Sequence, residues 1–437
     1  MDPEAILGKT IKLYEWDEII LNCHQLDHDY LNKNFKDKLA YKVIGDKTLI
    51  QTKQFVGILK LPESKTILKI SPKTTSKYME LLKFAQSVKC KDNKKFFYYD
   101  LKEKVETEDG EVFFEIIAHL FLAELRYIFK RGLYKEYIKK EENINFLRGK
   151  LLISQQIREN FIRPKFCCSY FDLTVDNFVN QAMIYAALKV TKFIDYSSNS
   201  NLRSVKAEIL KYVNLLKDEI TINDAILLTE LEKLNCNRKN DYYEEIIELT
   251  KIIIRESFFG SSGKRKSRCC NFLIDMNVIF ERVVFGVLSM ILEGNGYSVK
   301  DQLLNNIDNF ICLENKTFQI KPDIVVFENN KEYAVIDAKY MASLNLKEYY
   351  QIIIYSLALK IKHSHLKNAV LINFESEFDK CSVKSGAIKI VKLTGKEGED
   401  IKIYQISLYL GMDEKNYIDQ IKNQLQEVIK YHRIFDI

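Results

Sequence analysis

The sequence predicts an α+β protein of several domains, with a small N-terminal β domain, a mainly helical middle and a C-terminal α/β domain. Residues 10–75 alternate between apolar and polar side chains, as strands with one buried face do. From residue 76 the apolar spacing changes to three and four, which is typical of amphipathic helices. After residue 270, helices alternate with short apolar strands, an order that indicates a sheet covered by helices.

Length and composition agree with several folded domains. The chain has 437 residues, of which 47% are apolar, and its net charge of +6 is a mild basic bias that permits nucleic-acid binding without requiring it. Its nine cysteines include no CxxC pair, so we expect reduced thiols and a cytoplasmic location. The N-terminus lacks the pattern of a signal peptide, and no apolar run is long enough to cross a bilayer, so we expect no membrane association.

The predicted N-terminal β domain covers residues 1–75. Strands are expected in "TIKLYEW" (10–16), in "LAYKVIGDKTLIQTKQFVGILKL" (39–61), which turns at Gly45-Asp46, and in "TILKISPK" (66–73). The Pro62-Glu63-Ser64 turn should join the last two strands as a hairpin.

The predicted helical region covers residues 76–259. Helices are expected at 76–88, at 111–133 with Gly132 as its C-cap, and at 176–194, 203–220 and 242–259. The charged stretch at 89–110 is predicted to be a loop. The segment "GSSGKRKSR" (260–268) marks a boundary, either as a solvated linker or as a linker that also touches phosphate.

The predicted α/β domain covers residues 270–437. A helix at 272–297 should stop at Gly294-Asn295-Gly296. Strands at 317–327 and 332–340, a helix at 346–361 and further strands at 368–374, 387–393 and 401–408 should follow, before a terminal helix.

Two carboxylates and a lysine lie at the ends of two apolar strands in "KPDIVVFENNKEYAVIDAKY" (321–340). The connection "ENNKE" favours a hairpin. On the second strand Val335, Asp337 and Lys339 share one face, because strand side chains alternate. Asp323, at the start of the first strand, should neighbour Asp337 at the end of the second. The three polar side chains are therefore expected to converge at one edge of the sheet.

This cluster suits hydrolysis of a phosphodiester. Asp323, Asp337 and the backbone carbonyl of Ala338 could ligate Mg²⁺, which prefers oxygen ligands. The metal would activate water and neutralise charge on the phosphate. Lys339 would orient or deprotonate that water, or stabilise the transition state. Without a metal, the same three side chains would form only a surface ion pair.

The string Pro322-Asp323, thirteen residues, Asp337-Ala338-Lys339 resembles the PD-(D/E)xK nuclease superfamily. That resemblance implies a fourth acidic residue on the preceding helix, here Glu281, and a QxxxY-type pair on the following helix, here Gln351 and Tyr355. The residues leave simpler interpretations open, namely an exposed helix charge for Glu281 and ordinary amphipathic packing for the pair.

Further stretches resemble the McrC family, the nuclease subunits of McrBC-type, modification-dependent restriction systems. The stretches are "FVGILKL", "TILKISPKT", "FKRGLYKEYIKKEENINFLRGKLLISQQI", "CSYFDLTVDNFVNQAM" with Asp176, Asn177 and Asn180, "IDMNVIFERVV", "PDIVV" and "VIDAKY". They run from about residue 10 to 375, most of the chain. The resemblance implies a DNA endonuclease with an Mg²⁺ cofactor.

The resemblance also implies a partner, McrB, a ring-forming AAA+ GTPase that recognises modified cytosine and translocates DNA. Such a subunit inserts part of its N-terminal half into the ring and stimulates GTP hydrolysis, so residues 76–259 would be the partner-coupling region. Arg131 and Arg148 become candidate partner contacts, although each could instead stabilise a helix–loop junction near Gly132 or Gly149. The sequence contains no GxxxxGK[ST] loop, in agreement with a subunit that hydrolyses no nucleotide itself.

Two other functions compete with this one. The chain could be an adaptor that activates the ring NTPase without cutting, but it retains Asp323, Asp337 and Lys339. It could be a stand-alone repair or recombination nuclease, but about 260 residues precede the nuclease region. A double-strand break needs two active sites, so the nuclease hypothesis also predicts a homodimer.

Overall fold

The structure is a computed structural model that describes residues 8–21, 25–44, 47–73, 78–88, 96–107, 110–196, 202–222, 230, 234–255, 267–301, 311–313, 316–318, 321–341, 343–362, 366–375, 389–393, 401–410 and 416–435. The chain divides into two compact units. Unit 1 combines Met1–Val105 with Cys270–Ile437, and unit 2 is Glu106–Cys269. The predicted segments 1–75 and 270–437 thus lie in one unit.

The described residues form a mixed α/β chain with several sheets. The strands are β1 Thr10–Tyr14, β2 Glu18–Leu21, β3 Ala40–Ile44, β4 Lys47–Gln51, β5 Phe55–Lys60, β6 Ile67–Ser71, β7 Phe97–Thr107, β8 Glu136–Ile144, β9 Lys150–Leu151, β10 Phe166–Thr174, β11 Ser267–Asp275, β12 Tyr297–Asp301, β13 Ile311–Leu313, β14 Lys316–Phe318, β15 Ile324–Glu328, β16 Lys331–Lys339, β17 Asn368–Glu375, β18 Lys389–Leu393 and β19 Ile401–Tyr409.

The helices are α1 Gln25–Asn34, α2 Tyr78–Ser87, α3 Gly110–Arg131, α4 Ile153–Glu159, α5 Phe178–Tyr196, α6 Leu202–Leu216, α7 Glu244–Arg255, α8 Met276–Leu292, α9 Leu346–Lys362 and α10 Tyr417–His432. The helix α3 ends as predicted, because the amide of Gly132 bonds to the carbonyl of Ile128 at a φ of +106°. No helix in the described ranges has the length and apolar character needed to span a membrane. Among the cysteines whose side chains are described, Cys167, Cys168 and Cys236 are free thiols.

The N-terminal part of unit 1 contains a five-stranded sheet in the order β1-β6-β5-β11-β7. The predicted hairpin at Pro62-Glu63-Ser64 joins β5 and β6 antiparallel, while β1 lies parallel to β6. The strands β2, β4 and β3 form a separate antiparallel sheet. A core of leucines, isoleucines and phenylalanines, including Leu59, Leu68 and Ile50, packs beneath these strands.

Two strands of the five-stranded sheet correct the sequence-based assignment. The stretch predicted to be a charged loop contains β7, whose alternation is obscured by charged residues between its apolar ones. The start of the helix predicted at 272–297 is β11 instead. Asp275 separates strand from helix, because its side chain accepts a hydrogen bond from the amide of Asn277 (3.0 Å) and caps α8.

Other elements also differ from the prediction. The predicted β domain includes α1, a helix with little apolar character that buries Leu31 against the sheet core. The predicted helical region includes β8 and β10, which pair antiparallel over their full length. The largely charged sequence of β8, "EYIKKEENI", has no strong period of two, so its pairing partner determines its structure. The boundary segment at 260–268 lies outside the described residues except for its last two, which begin β11.

Asn271 connects β11 to the N-terminal strands. Its buried amide oxygen accepts a hydrogen bond from the backbone amide of Lys60 (2.8 Å), and its amide nitrogen donates to the carbonyl of the same residue (2.9 Å). The nitrogen also donates to the hydroxyl of Tyr30 (2.7 Å). A fully satisfied buried amide of this kind fixes the register of the two strands.

Gly57 permits the close approach of β5 to β11. A Cβ atom there would lie 2.2 Å from the carbonyl oxygen of Phe272, and the φ of Gly57 is +153°. We expect Gly57→Ala to reduce the free energy of unfolding by about 3–5 kcal/mol, because backbone strain adds to a clash with another backbone. Calorimetric unfolding measures this change.

Gly294→Ala is the matched control. Its φ is +98°, but a Cβ atom there would meet nothing within 4 Å. Backbone strain alone should cost about 1–2 kcal/mol. Equal losses for the two variants would contradict a tight contact between β5 and β11.

The C-terminal part of unit 1 is a six-stranded mixed sheet in the order β12-β15-β16-β17-β19-β18. The strands β16, β17 and β19 are parallel, and the outer pairings are antiparallel. Helix α9 covers one face and buries Ile352 and Leu359 against Val335 and Leu371. Helix α8 packs against β16 through Phe280, whose ring centroid is 5.9 Å from that of Tyr340. The sheet therefore presents the end of β16 between two helices.

Unit 2 contains α3, α5, α6 and α7, which pack on one another, and an antiparallel sheet in the order β8-β10-β9 with α4 beside it. We call residues 136–174 of this unit the arm. Buried asparagines secure the base of the arm. Asn177 and Asn180 both donate to the carbonyl of Tyr134 (3.0 and 2.9 Å), and Tyr243 donates to the amide oxygen of Asn180. These asparagines therefore hold the chain where it leaves α3 for the arm.

Candidate active site

The hairpin of β15 and β16 brings the two aspartates together. Asn329 and Asn330 form a two-residue turn with φ values of +50° and +64°, the left-handed pair that suits a hairpin. Ile324 is paired with Ile336, so Asp323 and Asp337 are adjacent across the hairpin. The register shifts between Val326 and Phe327, so the turn and this irregularity together set the positions of the two aspartates.

Lys339 completes a compact group with these carboxylates. Its Nζ lies 2.9 Å from Oδ2 of Asp337 and 3.8 Å from Oδ2 of Asp323. The same oxygen of Asp323 accepts a hydrogen bond from the backbone amide of Ala338 (3.1 Å), which orients that carboxylate toward the end of β16. The alternation of side chains places Asp337 and Lys339 on the face that α9 covers.

Asp337 is a carboxylate in an unfavourable environment. It is only 1% exposed. Burial, together with the neighbouring charge of Asp323, raises the pKa of Asp337 to about 8, and the nearby ammonium of Lys339 only partly opposes this rise. Among the described residues, none donates a hydrogen bond of good geometry to either carboxylate oxygen. A buried carboxylate that Lys339 only partly compensates can accept a further positive partner.

Lys339 remains a cation despite its burial. Desolvation acts to lower the pKa of its ammonium, but the charges of Asp323, Asp337 and Glu281 raise the pKa above the ordinary value. Glu281 on α8 thus lies close enough to act electrostatically on the group. The structure therefore brings together four of the predicted site residues.

The predicted pair on α9 also points to this group. Gln351 donates from Nε2 to the hydroxyl of Tyr355 (2.7 Å). Burial raises the pKa of Tyr355, and the charges of Asp337 and Asp323 raise it further. Since those charges act on the Tyr355 hydroxyl, α9 presents a polar pair toward the carboxylates.

The donor set at this site fits a hard divalent cation. Mg²⁺ commonly binds through one or two carboxylates and completes its shell with water and substrate phosphate. Asp337 offers two buried oxygens that lack donors, and Asp323 offers a second carboxylate beside it. In the described part of the chain, no group of three or more His, Cys, Asp or Glu side chains is arranged to hold a metal ion. Water and phosphate oxygens would complete the shell of an ion bound in this way.

A polar row beside the site was not predicted from the sequence. Lys339 pairs with Asn373 on β17, and Asn373 pairs with Ser407 on β19. The buried oxygen of Asn373 accepts hydrogen bonds from Ser407 (2.9 Å) and from Gln405 (3.2 Å), which also bonds to Tyr349 of α9. A single asparagine at the end of the apolar run "NAVLINF" was the available signal. The row continues the polar edge of the sheet across three parallel strands.

The two predicted partner-contact arginines both have partners within unit 2. Arg148 donates to Asp172 (2.8 Å), and its guanidinium lies 4.1 Å from the ring centroid of Tyr170. Arg131 donates to the hydroxyl of Tyr127 (2.6 Å) and lies over the ring of Tyr242. These contacts give both arginines a structural role. Both remain partly at the surface, so the contacts leave a role in partner binding open.

The arm exposes an unusual number of large apolar side chains. Phe161 and Ile162, in the loop after α4, are 84% and 92% exposed. Seven further apolar residues of the arm are also exposed, namely Tyr137, Phe146, Leu147, Ile153, Ile157, Phe171 and Leu173. Scattered apolar residues are normal on a surface, but a concentration of this kind marks an interaction site.

The fold and the site define a class of protein, a mixed α/β chain with a carboxylate–lysine centre at the end of a β-hairpin. A family model described as the McrBC 5-methylcytosine restriction system component matches residues 50–372. The match covers most of the chain, and the protein belongs to this family. The family resemblance inferred from the sequence is thereby confirmed.

Two solved structures from Thermococcus gammatolerans are similar to the chain. A half-complex from a tetradecameric assembly of McrB AAA+ hexamers with bound McrC has 18% identity and a TM-score of 0.45, and the match covers 96% of this chain and 100% of that one. The McrBC complex solved by cryo-EM has 21% identity and a TM-score of 0.32, with coverage of 65% and 88%. No curated protein matches the sequence.

Proposed function

We propose that the chain is the DNA endonuclease subunit of a McrBC-like restriction complex, with its PD-(D/E)xK nuclease domain in residues 270–437. The observation that carries this proposal is the convergence of Asp323, Asp337 and Lys339 at the end of the hairpin, in a chain of this family. Two carboxylates buried side by side are costly to a fold, and groups with pKa values perturbed in this way cluster where chemistry uses them.

In this proposal, Asp323, Asp337 and the carbonyl of Ala338 hold Mg²⁺. When bound, the ion supplies an activated water and neutralises charge on the scissile phosphate. The Lys339 ammonium orients the attacking water and stabilises negative charge that develops on the phosphate oxygens. Glu281 adds to the negative charge of Asp323 and Asp337 that keeps Lys339 protonated. Gln351 and Tyr355 provide polar contacts on the α9 side of the site.

We propose that the arm binds an AAA+ GTPase ring. Its exposed apolar residues need a protein surface to cover them, and the family is that of the McrBC system. The T. gammatolerans relative is bound to McrB AAA+ hexamers, in agreement with such a partner. Arg131 and Arg148 then act mainly by fixing the ends of the arm, with their exposed parts available to the ring.

The substrate we propose is DNA that contains modified cytosine, in agreement with the description of the family. The chain's charge of +6 is small for a protein that binds DNA by itself, so the ring should deliver the substrate. A break in both strands requires two copies of the nuclease site, and we propose that the chain pairs as a homodimer during cleavage.

A cleavage assay with the purified chain tests this proposal. DNA with and without 5-methylcytosine is incubated with the chain, its ring GTPase and GTP, in Mg²⁺ or in EDTA. We expect double-strand cleavage of the methylated DNA only when Mg²⁺, GTP and the ring are all present. GTP hydrolysis by the ring is measured in the same reactions.

The competing functions predict different results. An adaptor would stimulate GTP hydrolysis and leave the DNA intact at every Mg²⁺ concentration. A stand-alone nuclease would cut without the ring and without GTP. Either pattern would contradict the proposed function.

A further inference from the structure

A buried glutamate of the N-terminal sheet contacts the strand that carries Lys339. Glu15 follows β1 and is only 1% exposed. Its Oε2 accepts a hydrogen bond from the hydroxyl of Tyr340 (3.0 Å) and another from the backbone amide of Lys73 (3.0 Å). In the part of the chain that the structure describes, no donor reaches Oε1. A buried acidic group that the reaction itself does not use therefore touches the residue next to Lys339.

The turn that presents Glu15 is strained. Trp16 has a φ of +65°, a conformation that a large side chain rarely adopts. Asp17 stabilises the turn, because its carboxylate accepts from the amide of Tyr14 (2.8 Å) and its own amide donates to Thr52 (2.8 Å). Strain of this kind persists where the surrounding structure over-determines it, and it often accompanies function. Here the turn directs Glu15 inward, against Tyr340.

Tyr340 is an anchor for the end of β16. It is 2% exposed, and its ring centroid lies 4.7 Å from that of Phe374 and 5.9 Å from that of Phe280. Aromatic packing holds the ring, and the hydrogen bond from its hydroxyl to Glu15 holds the far end of the side chain. Because Tyr340 directly follows Lys339, its position determines the backbone from which the Lys339 ammonium reaches the carboxylates.

We propose that Glu15 is a positioning residue of the cleavage centre, which acts through Tyr340 to hold Lys339 at its working distance from Asp337 and Asp323. The inference rests on the proposed nuclease function. It extends the cleavage centre into the N-terminal sheet, 325 residues away in sequence from Tyr340. Glu15 and Tyr340 both lie in the compact unit that contains the N-terminal strands and the six-stranded sheet.

The burial of Glu15 has an independent signature. Desolvation raises the pKa of Glu15 to about 7, and the nearby charge of Asp275 adds to this rise. Hydrogen bonds from Lys73 and Tyr340, together with the charge of Lys73, lower the pKa and offset part of the rise. The folded protein therefore binds a proton more tightly than the unfolded chain. This contribution to stability is fully present below about pH 4.5 and is lost as pH rises through 7. Glu15→Gln should flatten this part of the pH profile of thermal unfolding.

Single-turnover cleavage with the full chain, its ring GTPase and methylated DNA tests the proposal. Tyr340→Phe removes only the hydroxyl, and Glu15→Ala removes its acceptor. We expect each to slow the cleavage step about tenfold at saturating DNA, since small misplacements of a reacting group reduce rates this much. Half-saturation by DNA and GTP hydrolysis should not change. The double variant should be no slower than either single one.

Two variants separate positioning from general stability. Glu15→Gln retains an oxygen that accepts both bonds, so it should cleave within about threefold of wild type. Tyr30→Phe is the matched control, because Tyr30 donates a similar bond to a carboxylate, that of Asp100 (2.7 Å), within the N-terminal sheet. It should lower the unfolding temperature and leave the cleavage rate unchanged.

Asp337→Asn distinguishes failure of this inference from failure of the proposed function. If Asp337→Asn is inactive and Tyr340→Phe cuts at the wild-type rate, Glu15 does not position Lys339 and the nuclease function stands. If Tyr30→Phe slows cleavage as much as Tyr340→Phe, loss of stability explains both, and the inference is wrong. If Asp337→Asn cuts normally, the hairpin is not the cutting site and both proposals are wrong.

Discussion

Asp337→Asn should abolish DNA cleavage, by about a thousandfold or more, while GTP hydrolysis by the partner ring stays at its wild-type level. The substitution preserves the shape of the side chain and removes the charge that would hold the metal. The site lies in unit 1 and the arm in unit 2, so the loss should be confined to the cut. Cleavage and GTP hydrolysis are measured together with the ring and methylated DNA.

The same variant should be as stable as the wild type or more stable, which an ordinary structural ion pair would not allow. Burial of Asp337 raises its pKa to about 8, so in metal-free protein the folded state favours the protonated form. The contribution of Asp337 to the free energy of unfolding is therefore lost as the pH rises from about 4 through 8. In EDTA, Asp337→Asn should gain stability over wild type across that range, on the order of a few kcal/mol.

Glu328→Gln is the matched control, at the other end of the same hairpin and away from the site. It should cut normally. If Asp337→Asn unfolds at a lower temperature than wild type and still supports cleavage, the two carboxylates and Lys339 form a structural ion pair. The adaptor function would then become the better explanation of the chain.

Charged substitutions in the arm should reduce both activities, GTP hydrolysis by the ring as well as DNA cleavage. Phe161→Glu combined with Ile162→Glu should reduce stimulation of the ring's GTP hydrolysis at least tenfold and abolish cleavage that depends on the ring. Both residues are almost fully exposed, so the substitutions should change the free energy of unfolding by less than about 0.5 kcal/mol. A central apolar contact is the part of an interface that tolerates charge least.

Leu215→Glu controls for the added charge. Leu215 is an apolar residue of α6 that is 60% exposed and lies outside the arm. The Leu215→Glu variant should stimulate GTP hydrolysis by the ring as well as the wild type does. Wild-type stimulation by the double variant of the arm would show that these exposed residues are not the surface that binds the ring.

Local features of the sequence were enough to predict the hairpin of the candidate site. Two apolar runs and a pair of asparagines between them predict the hairpin, whereas the register shift between Val326 and Phe327 that brings Asp323 beside Asp337 was not predicted. Helical spacing likewise places Gln351 and Tyr355 on one face of α9, whereas their assignment to the site came from the resemblance to the nuclease superfamily. Such features can be predicted because every interaction involved lies within a few residues along the chain.

Other parts of the site could not be predicted in this way. The row of Asn373, Gln405 and Ser407 depends on which strands neighbour β16, and a parallel pairing leaves no turn in the sequence to mark it. The packing of Arg148 on Tyr170 likewise depends on the pairing of β8 and β9 with β10. These contacts join segments whose own patterns are equally compatible with other partners.

The sequence by itself determined the family, the hairpin with Asp323, Asp337 and Lys339, and most helices, because periodicity and turn chemistry depend only on residues that are close together in the chain. Only the tertiary structure decided that β7 and β11 complete the N-terminal sheet and that Glu15 reaches Tyr340. The physical reason is that these contacts gain their energy from burial shared by distant segments. A strand such as β7 is stable only when its partner is present, and no local pattern identifies that partner.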